Sequence, residues 1–135
     1  MSLDSLFDDF ALFDDWEDRY RYIIEMGQNL EPLSDDEHSE EFKVPGCVSQ
    51  VWLVSEKSGD RMLFRGDSDA HIVSGLVAIL LTIYNDKTPK EILAIDIKAI
   101  FNRLGLNEHL SPQRSNGFSS MVQRIRKDAE TAISV

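Results

Sequence analysis

The stretch VWLVSEKSGDRMLFRGDSDAHIVSGLVAILLTI, residues 51–83, decides the fold. It opens on the β-prone run Val51-Trp52-Leu53-Val54, and Lys57-Ser58-Gly59-Asp60 follows as a tight turn. Strands over about 48–56 and 60–66 are therefore expected to pair as an antiparallel hairpin. Gly66-Asp67-Ser68-Asp69 then supplies a bend and a helix cap, in which Ser68 or Asp69 is expected to accept from the exposed N–H groups of the next helix. Ile72, Val73, Leu76, Val77, Ile79, Leu80 and Ile83 make that helix apolar over most of its circumference, which is the pattern of a buried central helix.

Upstream, Leu6, Phe7, Phe10 and Phe13 form a short amphipathic lead. Trp16, Tyr20, Ile23 and Ile24 recur at i, i+4, i+7 and i+8, one face of a helix of about four turns ending near Gly27. Pro32 and the like charges of residues 31–38 oppose regular structure, so a loop or a single turn is expected there. Downstream, Thr88-Pro89-Lys90-Glu91 is a helix start, with threonine as cap, proline at the first helical position and glutamate closing a capping box. Ile97, Ile100, Phe101 and Leu104 mark a short helix stopped by Gly105. Ser111-Pro112 opens a last helix with Met121, Val122, Ile125 and Ala129 inward. With no repeat, low-complexity tract or boundary signal, residues 1–135 read as one α+β domain, a small antiparallel β-sheet packed against helices.

Charge narrows the partners. Residues 1–41 carry 14 carboxylates against Arg19 and Arg21, a net of −12, and the remainder carries +2, to the total of −10. Such a chain is repelled by nucleic acid and by anionic membrane, since phosphate binding depends on Lys and Arg. The acidic third is either a solvated face or a docking surface for a basic partner. The longest apolar helix candidate, Ile72 to Ile83, is interrupted by Ser74, Gly75 and Thr82 and falls short of the roughly 18 residues that span a bilayer. The acidic start Met1-Ser2-Leu3-Asp4-Ser5 has the wrong charge for a targeting peptide, so a reducing, cytoplasmic setting is expected.

The chain has one cysteine, Cys47, in Val44-Pro45-Gly46-Cys47 directly before the first strand. A Pro-Gly turn puts the next residue at a loop tip or strand mouth, where a side chain can meet a partner. A lone thiol excludes an intramolecular disulfide, a Cys-x-x-Cys redox pair and a four-thiolate zinc or cluster site. Cys47 acts as a single nucleophile, or with a thiol from another protein, unless it is only a small buried hydrophobe. Only the thiolate is competent, and the chain's negative field raises the thiol pKa, so the free thiol is expected to be protonated and partly shielded.

Three segments in register carry a family resemblance. They are Pro45-Gly46-Cys47-Val48-Ser49-Gln50-Val51-Trp52; Gly66-Asp67-Ser68-Asp69-Ala70 with Ile72-Val73-Ser74-Gly75-Leu76; and Leu110-Ser111-Pro112-Gln113-Arg114-Ser115-Asn116-Gly117. From about residue 10 to the last helix the chain resembles the SufE family of sulfur acceptors. The resemblance implies the fold that SufE shares with IscU-type scaffolds, and Cys47 as the acceptor of persulfide sulfur from a SufS-type cysteine desulfurase. It also implies stimulation of that desulfurase and delivery towards iron–sulfur cluster assembly on a SufB-like scaffold. No bound cofactor is expected, because the pyridoxal phosphate belongs to the desulfurase. A scaffold role is disfavoured, since scaffolds need several ligands and this chain offers one thiol.

Around Cys47, Gly46, Ser49, Gln50, Asp69 and Arg114 are expected to support the loop or contact the partner. The alternatives are that Asp69 only caps the central helix, that Arg114 makes a structural ion pair and that Gln50 decorates the strand. Gly75 is expected to allow close helix packing and Trp52 to lie in the core. Two rival functions remain. A cysteine hydrolase would use His38, His71 or His109 as the base for Cys47; an allosteric desulfurase-activating module would leave Cys47 incidental.

Overall fold

The computed structural model describes residues 2–47 and 49–134. The chain runs α1 (Leu3–Leu12), α2 (Trp16–Gln28), a 3-10 turn (Asp35–Glu37), β1 (Val51–Ser58), β2 (Arg61–Ser68), α3 (His71–Tyr84), α4 (Pro89–Ala94), α5 (Ile97–Arg103), α6 (Leu106–His109) and α7 (Pro112–Ser134). The hairpin forms as expected, pairing Val51 with Ser68 through Ser58 with Arg61. β1 reaches two residues further at the turn end, because Gly59 takes φ +63 at the first turn position and closes a two-residue loop. The expected strand start at about residue 48 falls on Val48, outside the described residues; β1 begins at Val51.

Each edge of the hairpin carries a short extra segment. Val44 donates to the Val51 carbonyl and Leu53 to that of Phe42, both at 2.8 Å, so residues 42–44 lie antiparallel against β1. On the other edge Met62 donates to Lys87 at 2.8 Å and Asp86 to Met62 at 3.0 Å. These additions satisfy edge groups that would otherwise be open to pairing with another chain.

α3 is the buried centre. Leu76, Val77, Ile79, Leu80 and Ile83 are each at most 1% exposed, and burying such a side chain contributes about 1.5–3 kcal/mol. Packing on that scale outweighs a cap of about 1 kcal/mol, and α3 starts at Ala70 without a side-chain cap. The expectation that Ser68 or Asp69 caps this helix is therefore corrected: the Ser68 hydroxyl accepts only from the Ala70 N–H, and Asp69 is engaged elsewhere.

α2 crosses α3 at glycine contacts. A Cβ on Gly75 would fall onto the Ile23 carbonyl, and one on Gly27 would lie 2.6 Å from the Gly75 nitrogen. The close packing expected of Gly75 is what it provides. Trp52 departs from expectation: it is partly buried on the face opposite Leu53, with the His38 ring edge-on to it at 4.8 Å. The capping box expected at Thr88 forms, and a second, at Ser34, starts the 3-10 turn inside the acidic loop.

Candidate functional site: the thiol cavity

Residues 45–50 connect the 42–44 edge segment to β1, so Cys47 sits in a short loop closed at its base by the Val44–Val51 pair. Gly46 turns the chain with φ +87, and a Cβ there would lie 2.7 Å from the Ser120 hydroxyl of α7, so both conformation and space require glycine. Cys47 is half-buried. Its Sγ donates weakly to the Gly117 carbonyl at 3.7 Å, and a Cβ on Gly117 would touch the sulfur at 3.8 Å. Burial pushes the thiol pKa above its ordinary value, because the thiolate would leave water for an apolar surround.

The thiol opens on a cavity of about 360 Å³ between the Cys47 loop, the start of α3 and the start of α7. Ile72, Val73, Leu76, Phe118 and Met121 line it with apolar surface; Ser49, Ser111, Gln113 and Arg114 add polar groups. Such a pocket holds a neutral thiol and disfavours its anion. Among the described residues no group of three or more His, Cys, Asp or Glu is arranged to hold a metal ion.

The C-terminal end of the loop is tied to the β2–α3 turn through Gln50. Its backbone N–H donates to Asp69 Oδ1 at 3.0 Å and its side-chain amide to Oδ2 at 3.3 Å. Its carbonyl accepts from the Ser68 hydroxyl at 2.7 Å and from the Asp69 N–H at 3.2 Å. Asp69 thus supports the loop instead of capping α3, and Gln50 is more than strand decoration. The exposure of Gln50 and Asp69 makes this a water-accessible latch.

Arg114 lines the cavity and has no ion pair among the described residues; its guanidinium carbon lies 5.8 Å from the centre of the Tyr20 ring. The structural ion pair considered for it is absent there. No histidine lines the cavity: His38 bonds Asp67 at 3.0 Å, His109 stacks on Trp16 at 4.2 Å, and His71 is exposed at the first turn of α3. A base for a hydrolase is therefore not in place beside the sulfur. Sequence reasoning singled out Gly46, Ser49, Gln50, Asp69 and Arg114, and all five meet around Cys47 or its anchor. It missed Gly117, Ser120 and Tyr20, and gave Ser68 to the helix cap when its hydroxyl donates to the Gln50 carbonyl. Ser68 and Gly117 lay inside the quoted motifs, but a backbone carbonyl partner and a donor hydroxyl leave no distinctive pattern.

No described helix is long and apolar enough to cross a membrane. The SufE family model, described as "Fe-S metabolism associated domain", matches residues 4–129. An "Uncharacterized SufE-like protein" of Rhizobium etli is 56% identical over 133 residues, covering 96% of this chain and 90% of that protein. A second of that description, from Rhizobium meliloti, is 53% identical over 133 residues, covering 96% of this chain and 95% of its own. The solution structure of a hypothetical protein from Thermus thermophilus has the same fold, with a TM-score of 0.79 over 100% of both chains at 17% identity. With the family model spanning nearly its whole length and relatives this similar, the chain belongs to the SufE family.

Proposed function

We propose that Cys47 accepts sulfur from a SufS-type cysteine desulfurase and that the protein stimulates that enzyme and delivers the sulfur for cluster assembly on a SufB-like scaffold. The observation that carries this is a single thiol, kept neutral in a largely apolar cavity on a loop whose Gln50–Asp69 anchor is exposed to water. The desulfurase, which holds the pyridoxal phosphate, carries a cysteine persulfide. The Cys47 thiolate attacks its outer sulfur; the sulfur–sulfur bond breaks, the partner's thiolate leaves, and Cys47 becomes the persulfide. The Cys47 proton is lost when the loop leaves the cavity for a site that supplies positive charge. Shielding before and after the transfer limits side reactions of a reactive sulfur with small oxidants and thiols.

Intact-mass analysis after mixing the protein with a SufS-type desulfurase and cysteine tests this directly. Wild type gains one reducible sulfur atom and Cys47→Ser gains none. If Cys47→Ser instead retains full stimulation of alanine production, the protein is an allosteric activator and Cys47 is not the carrier.

A further inference from the structure

Arg114 is the only charged side chain among the described residues lining the thiol cavity. Most of the arginines in the structure are held by oxygen: Arg65 by Glu37 and Glu56, Arg124 by Asp128, Arg61 by Asp86, Arg19 and Arg126 by backbone carbonyls. Arg114 is held by a ring face, that of Tyr20. The same pattern recurs along the seam between the N-terminal helices and α5–α7, where Arg103 lies 3.8 Å over Phe7 and His109 stacks on Trp16 with ring planes 12° apart. Three rings of α1 and α2 thus meet three basic side chains from the opposite half, although those helices are rich in carboxylates.

The choice of ring over carboxylate has a chemical consequence. A carboxylate beside Arg114 would cancel its charge and occupy its N–H donors in a fork. A ring face within about 6 Å attracts the cation and leaves both charge and donors free. We propose that Tyr20 is a positioning residue, whose ring face holds the Arg114 guanidinium at the cavity wall undischarged, available to the anionic outer sulfur of a persulfide carried on Cys47. This deepens the sulfur-acceptor function proposed above and rests on it. Tyr20 reaches this place because it is one turn before Ile23, whose contact with Gly75 sets the spacing of α2 from α3.

The test compares the rates at which Cys47 is alkylated by iodoacetate, an anion, and by iodoacetamide, its neutral counterpart. Their ratio cancels thiol ionisation and loop opening, which both reagents share, and reads the local charge met by an incoming anion. Relative to wild type, the ratio falls about threefold or more in Arg114→Gln and in Tyr20→Leu, and stays within about twofold in Tyr20→Phe, which restores the ring. Tyr20→Met carries the same expectation as Tyr20→Leu if the leucine variant does not fold. Tyr20→Leu added to Arg114→Gln lowers the ratio no further, which a merely structural effect of Tyr20 would not reproduce. A ratio that falls in Arg114→Gln but not in Tyr20→Leu overturns the positioning role, and one that falls in neither removes Arg114 as well. Because these reagents need no desulfurase, a wild-type protein that shows the full pattern yet gains no sulfur in the mass assay refutes the acceptor function and leaves the geometry standing.

Discussion

At the scale of the residue, Cys47 is set by its surroundings and not by a neighbouring base. An ordinary cysteine titrates near 8.5 and is a few per cent ionised at neutral pH; burial pushes Cys47 higher still. The alkylation rate of the free protein should therefore rise with pH to a midpoint above about 8.5, and return to the ordinary cysteine value in denaturant. A midpoint well below that would mean that a cation already activates the thiol in the resting state. On the proposed acceptor function, addition of a SufS-type desulfurase should lower the midpoint, because the partner's site would supply the charge. The chain's acidity predicts an elevated pKa, but the structure gives burial as its cause. A charge total is visible in the residues; a cavity assembled from α3, α7 and a loop is not.

Among the elements, the α2–α3 crossing and the loop anchor behave differently under substitution. Glycine to alanine in an exposed helix stabilises by about 1 kcal/mol. Gly75→Ala reverses the sign, because its Cβ meets the Ile23 backbone, and should cost about 2 kcal/mol net in a urea titration. Asp69→Ala removes two hydrogen bonds to Gln50 at an exposed site and should cost only about 1 kcal/mol. Its larger effect should fall on Cys47, whose iodoacetamide rate rises several-fold as the loop is released. A lower melting temperature with an unchanged rate would show that the Gln50 contact does not govern access to the thiol. Helices with a periodic apolar face or a capping box, such as α2 and α4, are legible in the residues because those signals are local. The 42–44 edge segment is not: Phe42-Lys43-Val44 is too short to show alternation and acquires its pairing from β1. Nor is α6, a single turn after Gly105 held by the packing of Leu106 and not by any local signal.

Across the whole molecule, opposed charges are joined by few direct pairs, and one of them predicts the acid limit of stability. Arg65 of β2 takes Glu37 from the 3-10 turn in a fork and Glu56 from β1, fastening the acidic 31–41 segment to the hairpin. The Arg65 fork, and after it the Ser34 N–H that donates to the same carboxylate, hold the Glu37 pKa at about 2, against about 4.5 for the free group. A depressed carboxylate stabilises the fold above its unfolded pKa, and that contribution is lost as pH falls from about 4.5 towards 2. Thermal unfolding should drop over this window, and Glu37→Gln should lower the melting temperature at neutral pH while flattening the drop. At the alkaline end, burial raises Tyr22 and Tyr84 to about 12, Tyr22 also through its hydroxyl bond to Asp9. Their phenols favour the fold below about 10 and lose that contribution as pH rises towards 12. The acidic N-terminal third is plain in composition; that one arginine of the hairpin restrains it depends on a contact 28 residues apart in the chain.

The Val44–Val51 pair at the base of the loop also sets how far the Cys47 thiol can travel. While that pair holds, Cys47 is tethered three residues from a fixed point, and a chain spans at most roughly 3.3–3.6 Å per residue. Full extension thus carries Cα of Cys47 no more than about 11 Å from the sheet edge. If Cys47 carries sulfur as proposed, any donor or receiver must bring its reacting atom within that radius plus the length of the cysteine side chain: the transfer is a short swing from a rigid shoulder, and the partner's seat must lie close to its surface.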